Sequence, residues 1–193
     1  MKIFFGIRAI TTPPKSPVVT IGTYDGVHKG HQSILALVRE RAGAMGGTPL
    51  VFTFDPHPAQ VLFPKQPKPL LTTLQRRLKL FSYHGIEGCL IEKFDALLAR
   101  TSAEEFVDQY IVSLRPAEVI VGYNFTFGAG AKGDVHFLRK RLIAQGIRLT
   151  AIDPVEIGGA PCSSSRIRAL LSEGNLPEAH RLLGRYHSVT GKV

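Results

Sequence analysis

The chain of 193 residues contains no tryptophan and only two cysteines, Cys89 and Cys162. Two cysteines so far apart match neither the spacing of a zinc site nor the disulfide framework of a small secreted protein, and we expect both to be core residues. The sequence also lacks any apolar run near the ~20 residues that a membrane-spanning helix needs. Its apolar start is too short for a signal-peptide core and is interrupted by Arg8. These absences predict a cytoplasmic protein that does not contact a membrane.

Acidic residues are scarce relative to basic ones. The chain has 15 aspartates and glutamates against 24 lysines and arginines, which gives a formal net charge of +9 at pH 7. An excess of positive charge favours anionic partners such as nucleic acid, acidic lipid or phosphorylated small molecules. The basic residues are scattered and form no long tail, so the charge indicates a phosphate-bearing ligand without choosing among these classes.

Apolar segments of two kinds alternate along the chain. Short β-branched or apolar runs predict strands, and segments with apolar residues at helical spacing predict helices between them. The predicted strands are 17–22, 48–56, 88–94, 117–122 and 147–155, and the predicted helices are 31–47, 73–85, 102–114, 134–146, 164–174 and 176–184. The proline-rich connection 56–70 is expected to be neither a central strand nor a regular helix. This alternation predicts an α/β fold with a doubly wound, mostly parallel sheet, whose ligands bind at the carboxyl ends of the strands.

The stretch TIGTYDGVHKGHQ, from Thr20 to Gln32, lies where the first predicted strand gives way to the first predicted helix. Its glycines allow a tight turn and a close approach of the backbone to a ligand. His28 and His31 are three residues apart, and we expect them to face the same way, beside the unpaired N–H groups and the positive partial charge of a helix N-terminus. Two imidazole donors at such an end form a cradle for the phosphates of a nucleotide.

A metal-binding pair is the competing interpretation of two neighbouring histidines. No third ligand follows nearby, and the HExxH spacing of zinc proteases is absent. We therefore favour phosphate binding, in which the rings stabilise negative charge and do not act as nucleophiles.

Three further motifs lie at predicted strand ends or helix starts. SSSRIR, from Ser163 to Arg168, places serines where they cap a helix and two arginines in its first turn, where an anionic ligand would offset their unfavourable interaction with the helix dipole. TFDPHP, from Thr53 to Pro58, is a proline-fixed turn whose apolar rim suits a flat aromatic ring. FGAGAKG has the GxGxxG spacing of a dinucleotide-binding turn, but YNFTF separates it from the preceding strand, and we interpret it as a loop over the site.

GTYDGVHKGH is similar to the HxGH-bearing signature of the nucleotidylyltransferase superfamily, and it resembles more closely the motif of the bacterial FAD synthetase family. That family's further motifs are resembled, in the same order, by TFDPHP, LTTLQRRLKLF, VGYNFTFGAGAKGD and SSSRIRALLSEGNLPEAHRLLGR. The family module is usually the N-terminal half of a bifunctional riboflavin kinase/FMN adenylyltransferase. The resemblance implies a Rossmann-like domain over residues 1–186 with a short C-terminal helical and extended appendage. Residues 187–193 would then begin a linker to a kinase module that this chain lacks.

The resemblance also implies roles for individual residues. Those expected to be catalytic are His28, His31, Ser164 and Arg168. Those expected to bind ATP are Gly22, Thr23, Tyr24, Asp25, Gly30, Asn124 and Ser163. Those expected to bind FMN are Phe54, Asp55, Pro56, His57, Pro58 and Phe127. Packing that anchors its loop explains Phe127 equally well.

The implied reaction transfers AMP from ATP to FMN and gives FAD and pyrophosphate, with Mg²⁺ bridging phosphate oxygens and no metal ligand identified. ATP and FMN are then the partners, and nucleic acid is not expected. Two alternatives stay open: another HxGH transferase with a different acceptor, and a noncatalytic module that binds flavin, nucleotide or RNA. The chain departs from the family's common residues at Thr23, Tyr24, Gln75 and Arg76.

Overall fold

A computed structural model describes residues 1–66 and 68–189. Within these residues the backbone forms a six-stranded sheet in which all strand pairs are parallel, in the order β1-β4-β3-β2-β5-β6. The strands are β1 (Lys2–Phe5), β2 (Val18–Ile21), β3 (Pro49–Asp55), β4 (Gly88–Lys93), β5 (Glu118–Gly122) and β6 (Arg148–Ile152). The predicted α/β fold with a parallel sheet is confirmed.

Helices cover both faces of the sheet, and the four inner strands β2, β3, β4 and β5 are buried on both. Alternate residues of a strand point to opposite faces; in β3, Leu50 and Phe52 join one apolar cluster, whereas Val51 joins another. No helix in the described ranges has the length and apolar character needed to cross a membrane. The α-helices are α1 (Lys29–Ala44), α2 (Pro58–Leu62), α3 (Leu74–Tyr83), α4 (Ala96–Arg100), α5 (Ala103–Phe106), α6 (Val135–Ile143), α7 (Ser164–Ser172) and α8 (Leu176–Leu183).

The edge strand β1 is a strand that the sequence analysis does not predict. Phe4 is the one buried residue of its four, because β1 lies at the edge of the sheet and pairs with β4 alone. A strand with a single buried side chain lacks the alternation of apolar and polar residues by which strands are recognised.

The proline-rich connection contains a short helix, α2, where none was expected. Pro58 occupies its first turn, where the missing N–H of proline would have no helical partner in any case. His57 caps the helix by accepting a hydrogen bond from the N–H of Ala59. A single helical turn is therefore compatible with this proline spacing.

The helix predicted over residues 102–114 is continuous but changes its type. Ser102 and Glu105 form the predicted capping box at the start of α5. The chain then continues as a π-helix over Val107–Ile111 and a 3₁₀-helix over Val112–Leu114.

The order of the strands reverses between β2 and β5. From β2 the chain adds β3 and then β4 on one side, and it places β5 and β6 on the other side. The connections that leave the carboxyl ends of β2 and β5 therefore diverge, and a crevice opens between them. This is the place in a doubly wound sheet where a ligand is expected.

The carboxyl-terminal part of the described chain has no regular structure after α8. That helix ends at Leu183, with Gly184 in the left-handed conformation as its C-cap. Residues 185–189 form neither helix nor strand, and residues 190–193 of the predicted linker lie outside the described residues. The predicted boundary of the domain at residue 186 stays a prediction.

Truncation of Phe52 tests the placement of the core. Phe52 is fully buried in the sheet, so Phe52→Ala should lower the free energy of unfolding by about 3–5 kcal/mol. Tyr83→Ala is the matched control, because Tyr83 is 83% exposed, and its effect should stay within about 0.5 kcal/mol. Urea denaturation followed by circular dichroism measures both. Equal losses would contradict the assignment of Phe52 to the core.

Candidate active site

A cavity of about 890 Å³ opens at the carboxyl edge of the sheet, where β2 and β5 diverge. Its wall is formed by the loop after β2, the turn after β3, the loop after β5 and the segment between β6 and α7. Small-molecule sites of α/β proteins are found at such a reversal of strand order. The cavity is therefore the candidate active site.

His28 and His31 lie side by side on the cavity wall. His28 is the N-cap residue of α1, and its Nδ1 accepts a hydrogen bond from the backbone N–H of His31 at 3.3 Å. The two rings stack with their centroids 3.7 Å apart, and the His31 ring also makes an edge-type contact with Tyr24. Gly30 permits this arrangement, because a Cβ there would lie 3.1 Å from the His28 ring. The structure thus brings the two predicted histidines together.

Burial keeps both imidazole rings neutral. It lowers the pKa of His28 from 6.5 to about 4, with Asp25 opposing that shift and Arg185 adding to it. Burial also lowers the pKa of His31 well below its ordinary value, with a further contribution from His28. Because Nδ1 of His28 accepts a hydrogen bond, its ring proton is assigned to Nε2. Each ring can therefore donate a hydrogen bond to an anion without carrying a charge itself.

The Nδ1 atom of His31 is buried and has no hydrogen-bond partner among the described residues. Buried polar atoms are nearly always paired in folded proteins, so an orphaned one on a cavity wall requires an explanation. Because the His31 ring lines the cavity, a bound ligand is an explanation that fits its position.

Asp25 lies behind the cavity wall and not on it. The residue is 1% exposed, and its carboxylate accepts hydrogen bonds from the N–H groups of Leu71 and Thr72 at 3.0 Å and from the Arg168 guanidinium at 2.6 Å. Arg168 also donates to the carbonyl oxygen of Pro69 at 2.7 Å. One carboxylate thus connects the β2–α1 loop, the segment before α3 and helix α7. The expected contacts of Asp25 and Arg168 with ATP stay predictions.

Two serines at the start of α7 line the cavity. Ser163 caps the helix by accepting a hydrogen bond from the N–H of Arg166 at 3.2 Å. Ser164 donates its hydroxyl hydrogen to the backbone carbonyl of Asp25 at 2.8 Å. Both serines are therefore held at fixed positions on the wall.

Arg166 and Arg168, near the start of α7, do not line the cavity. The chain itself supplies the anions that offset their position near the helix N-terminus, because Arg168 pairs with Asp25 at 2.6 Å and Arg166 with Glu178 at 3.2 Å. The sequence analysis expects a ligand in this role, and the structure shows carboxylates of the chain in its place.

One part of the wall is apolar and rich in aromatic rings. The ring centroid of Phe54 lies 5.7 Å from that of Phe94, and that of Phe106 lies 5.6 Å from that of Phe127. Phe94 follows the carboxyl end of β4, so the rule that ligands bind at strand ends would have identified it. The lining residues of this part that the sequence analysis predicted are Phe54, Pro58 and Phe127, and those that it missed are Leu62, Phe63, Phe94, Leu98 and Phe106.

Three predicted FMN-binding residues, Asp55, Pro56 and His57, do not line the cavity. The Nδ1 atom of His57 is occupied by its hydrogen bond with the N–H of Ala59 at 3.0 Å. A carboxylate oxygen of Asp55 lies 3.7 Å from the guanidinium of Arg77. A role of these residues in flavin binding stays a prediction.

The glycine-rich loop after β5 contributes Asn124, Phe127 and Gly130 to the wall. It lacks the immediate strand-to-helix turn of a dinucleotide-binding fingerprint, because α6 begins only after Asp134, which caps it. Gly133 is required for packing, since a Cβ there would lie 2.7 Å from the Phe127 ring. The loop therefore borders the candidate site, as the sequence analysis expects.

Arg77 of α3 lies behind the cavity wall and contacts segments that form it. The sequence analysis does not predict this role. The residue is 1% exposed, and its guanidinium donates to the carbonyl oxygen of Thr23 at 2.7 Å and to the hydroxyl of Thr53 at 3.3 Å. These partners belong to the β2–α1 loop and to β3, so Arg77 joins two segments that border the cavity. No local pattern could reveal this contact, which spans 54 positions of the chain.

Asp153 is the single carboxylate among the described residues that line the cavity. In the part of the chain that the structure describes, no three histidines, cysteines, aspartates or glutamates are grouped to hold a metal ion. Mg²⁺ that is bound to substrate phosphates commonly uses only one or two protein carboxylates. The donor set therefore fits a metal ion that arrives with a nucleotide, and it does not form a metal centre by itself.

Comparisons with known proteins identify relatives along the whole chain. The family model described as FAD synthetase matches residues 10–166. A bifunctional riboflavin kinase/FMN adenylyltransferase of Pseudomonas fluorescens is 35% identical over 194 residues, and the alignment covers 100% of this chain and 62% of that protein. The protein of the same name from Escherichia coli (strain K12) is 32% identical over 195 residues, with the same coverage of 100% and 62%. The chain thus spans about three fifths of the length of these curated relatives.

A solved structure described as a macrolide-efflux protein from Streptococcus pneumoniae has the same fold. Its TM-score is 0.86 at 27% sequence identity, and the superposition covers 97% of this chain and 72% of that chain.

Removal of the Asp25 carboxylate should strongly destabilise the protein. Asp25→Ala leaves the mostly buried Arg168 without its counter-ion and two backbone N–H groups without their acceptor, and the expected loss in the free energy of unfolding is about 3–5 kcal/mol. Asp108→Ala is the matched control, because it breaks an exposed ion pair with Arg141 and should cost less than about 1 kcal/mol. Chemical denaturation gives both values, and similar losses would contradict the anchoring role of Asp25.

Acidification should destabilise the protein through His28. Its pKa is about 4 in the folded protein against 6.5 ordinarily; between these values the unfolded chain binds a proton that the folded protein does not, so stability falls as the pH falls. The expected contribution is a loss of about 2–3 kcal/mol between pH 7 and pH 4. His28→Asn keeps an N-cap acceptor without a titrating ring. The stability of this variant should fall less between pH 7 and pH 4 than that of the wild type. Urea titrations at each pH measure the difference, and parallel profiles would refute the prediction.

Proposed function

The chain belongs to the FAD synthetase family, and on that basis we propose that it transfers AMP from ATP to FMN, forming FAD and pyrophosphate. The proposal is confined to adenylyl transfer, because the chain spans 62% of the relatives whose names also include riboflavin kinase. The observation that carries it is the stacked, neutral pair of His28 and His31 at the start of α1, on the wall of the cavity between β2 and β5.

The phosphate of FMN is a competent nucleophile without a strong general base. Its second pKa is about 6, so most of it is a dianion at neutral pH. An electron pair of a phosphate oxygen forms the new bond to the α-phosphorus of ATP. The bond from that phosphorus to the bridging oxygen breaks, and its electron pair leaves with pyrophosphate. The work of the protein is then to align the two phosphates and to stabilise the charge that moves between them.

The imidazoles and the N-terminus of α1 are suited to that work. His28 and His31 would donate hydrogen bonds to the triphosphate, at the positive end of the α1 dipole. Ser163 and Ser164 line the same cavity. Arg168 would act through Asp25, because its guanidinium is engaged by that carboxylate.

The aromatic part of the wall is suited to the flavin. A flat, conjugated ring system buries best against aromatic and aliphatic side chains. Phe54 and Phe127 lie in this part, together with Phe94, Leu98 and Phe106. We place the isoalloxazine ring there, with its phosphate directed towards the histidines.

Mg²⁺ would enter with ATP and neutralise charge on the phosphate oxygens. Asp153 is the candidate ligand, because no other carboxylate of the described residues lines the cavity. One carboxylate is enough for an ion that keeps most of its water and is otherwise bound by phosphate.

The cavity favours small-molecule partners. No lysine or arginine of the described residues lines it, whereas nucleic-acid sites present basic side chains along a groove. The partners proposed are therefore ATP and FMN, and the location proposed is the cytoplasm.

Substitution of the two histidines tests the mechanism. His28→Ala together with His31→Ala should lower kcat for FAD formation by at least about 100-fold, because both imidazoles that would donate hydrogen bonds to the triphosphate are lost. His136→Ala is the matched control, since His136 is exposed on α6 and does not line the cavity. FAD and pyrophosphate are separated by chromatography after incubation with FMN, ATP and Mg²⁺. Undiminished FAD formation in the double variant would remove the mechanism, and AMP transfer to riboflavin or glycerol phosphate instead of FMN would replace the proposed acceptor.

A further inference from the structure

The loop that carries His28 has an unfavourable backbone conformation. Tyr24, Gly26 and Val27 have φ angles of 52°, 85° and 40°. Glycine adopts this region freely, but a β-branched residue such as valine is rarely found there. Val27 is nevertheless completely buried, and it directly precedes His28. The loop would relax to negative φ angles if other parts of the chain did not hold it.

Arg185 contacts this loop across 158 positions of the chain. Its guanidinium donates hydrogen bonds to the carbonyl oxygens of Gly26 and Val27, the latter at 3.1 Å, and to that of Leu183 at 3.2 Å. Gln32 strengthens the same junction, because its Nε2 donates to the carbonyl oxygens of Val27 at 2.9 Å and Leu183 at 2.8 Å. Residues 22–28, called here the histidine loop, are thus joined to the end of α8, because Arg185 and Gln32 each donate to carbonyl groups of both segments.

The hydrogen bonds of Arg185 in the structure all end on backbone carbonyl groups. Within residues 1–66 and 68–189 it forms no ion pair with a carboxylate. Burial lowers the pKa of Arg185 to about 10, with a further contribution from Arg76, so the guanidinium stays charged at neutral pH. It does not line the cavity. A half-buried cation that contacts neither a carboxylate nor the candidate substrate site holds the backbone in place.

We propose that Arg185 is a positioning residue: it clamps Gly26 and Val27 in the left-handed conformation and thereby fixes the ring of His28 against that of His31. The kinetic consequence rests on the proposed function, but the structural consequence can be measured without substrates. When the clamp is removed, the loop relaxes and the hydrogen bond between the two histidines is lost. The phosphate cradle then forms in only a fraction of the molecules, so kcat falls while the KM for FMN changes little.

Hydrogen exchange tests the clamp in the protein alone. In Arg185→Ala, the backbone amides of Val27 and His31 should exchange at least about tenfold faster, whereas the amides of β5 keep their wild-type rates. Arg139→Ala is the matched control, because Arg139 also donates to a backbone carbonyl, that of Leu149, and it should leave the loop amides unchanged. Unchanged exchange of the loop amides in Arg185→Ala would overturn the proposal.

A double-mutant cycle with Val27→Gly tests whether the positive φ angle of Val27 is the reason why the loop needs Arg185. Glycine has no preference for negative φ, so a loop with glycine at position 27 should depend less on Arg185. Arg185→Ala should lower kcat for FAD formation about tenfold in the wild-type background and less than about threefold in the Val27→Gly background. Equal losses in the two backgrounds would overturn the role assigned to the strained valine.

A second variant keeps the test decisive if Arg185→Ala does not fold. Arg185→Lys preserves the charge but cannot span three carbonyl groups as a planar fork does, so exchange and kcat should lie between those of the wild type and those expected for the alanine variant. Wild-type values of both would overturn the clamp. Failure of the proposed function looks different: the wild-type protein forms no FAD from FMN and ATP, while the loop amides still respond to the substitution of Arg185.

Discussion

The buried carboxylate of Asp25 is the interaction on which the rest of the candidate site depends. A charge that is removed from water is tolerated only when hydrogen bonds and an opposite charge replace its hydration. Asp25 obtains both from Arg168 and from the N–H groups of Leu71 and Thr72. Three segments that are distant in the chain are coupled by this requirement, because movement of one relative to the others would remove a partner of the carboxylate. The relative position of the histidine loop and of α7 follows from the neutralisation of one charge.

Among the residues that the structure describes, no lysine or arginine lines the cavity, although the protein carries a net charge of +9. The described residues that line it include the neutral imidazoles of His28 and His31 and the serines Ser163 and Ser164. Neutral donors can be buried without a counter-ion, and their hydrogen bonds strengthen as negative charge grows on the acceptor. The buried arginines have a different use: Arg77, Arg168 and Arg185 bind carbonyl oxygens and a carboxylate, and they hold the backbone that carries the donors.

Features that are local in the sequence were predictable, and features that join distant segments were not. The parallel sheet follows from the alternation of strands and helices, and the pairing of His28 with His31 follows from their spacing and from the glycine between them. Arg77 and Arg185 find their partners 54 and 158 positions away, and no local pattern distinguishes them from solvated arginines. The family resemblance drew attention to Asp25, but only the structure shows that its carboxylate contacts other parts of the chain and does not line the cavity.

The position of Arg185 determines how far the chain can be shortened without loss of the candidate site. The family match ends at residue 166, and the last regular element, α8, ends at Leu183. A fragment shortened to the end of α8 would keep all the residues that the motifs assign to ATP and FMN. It would nevertheless lack the guanidinium that shapes the histidine loop, so the two residues after α8 have to be kept with the candidate site in any truncation or fusion.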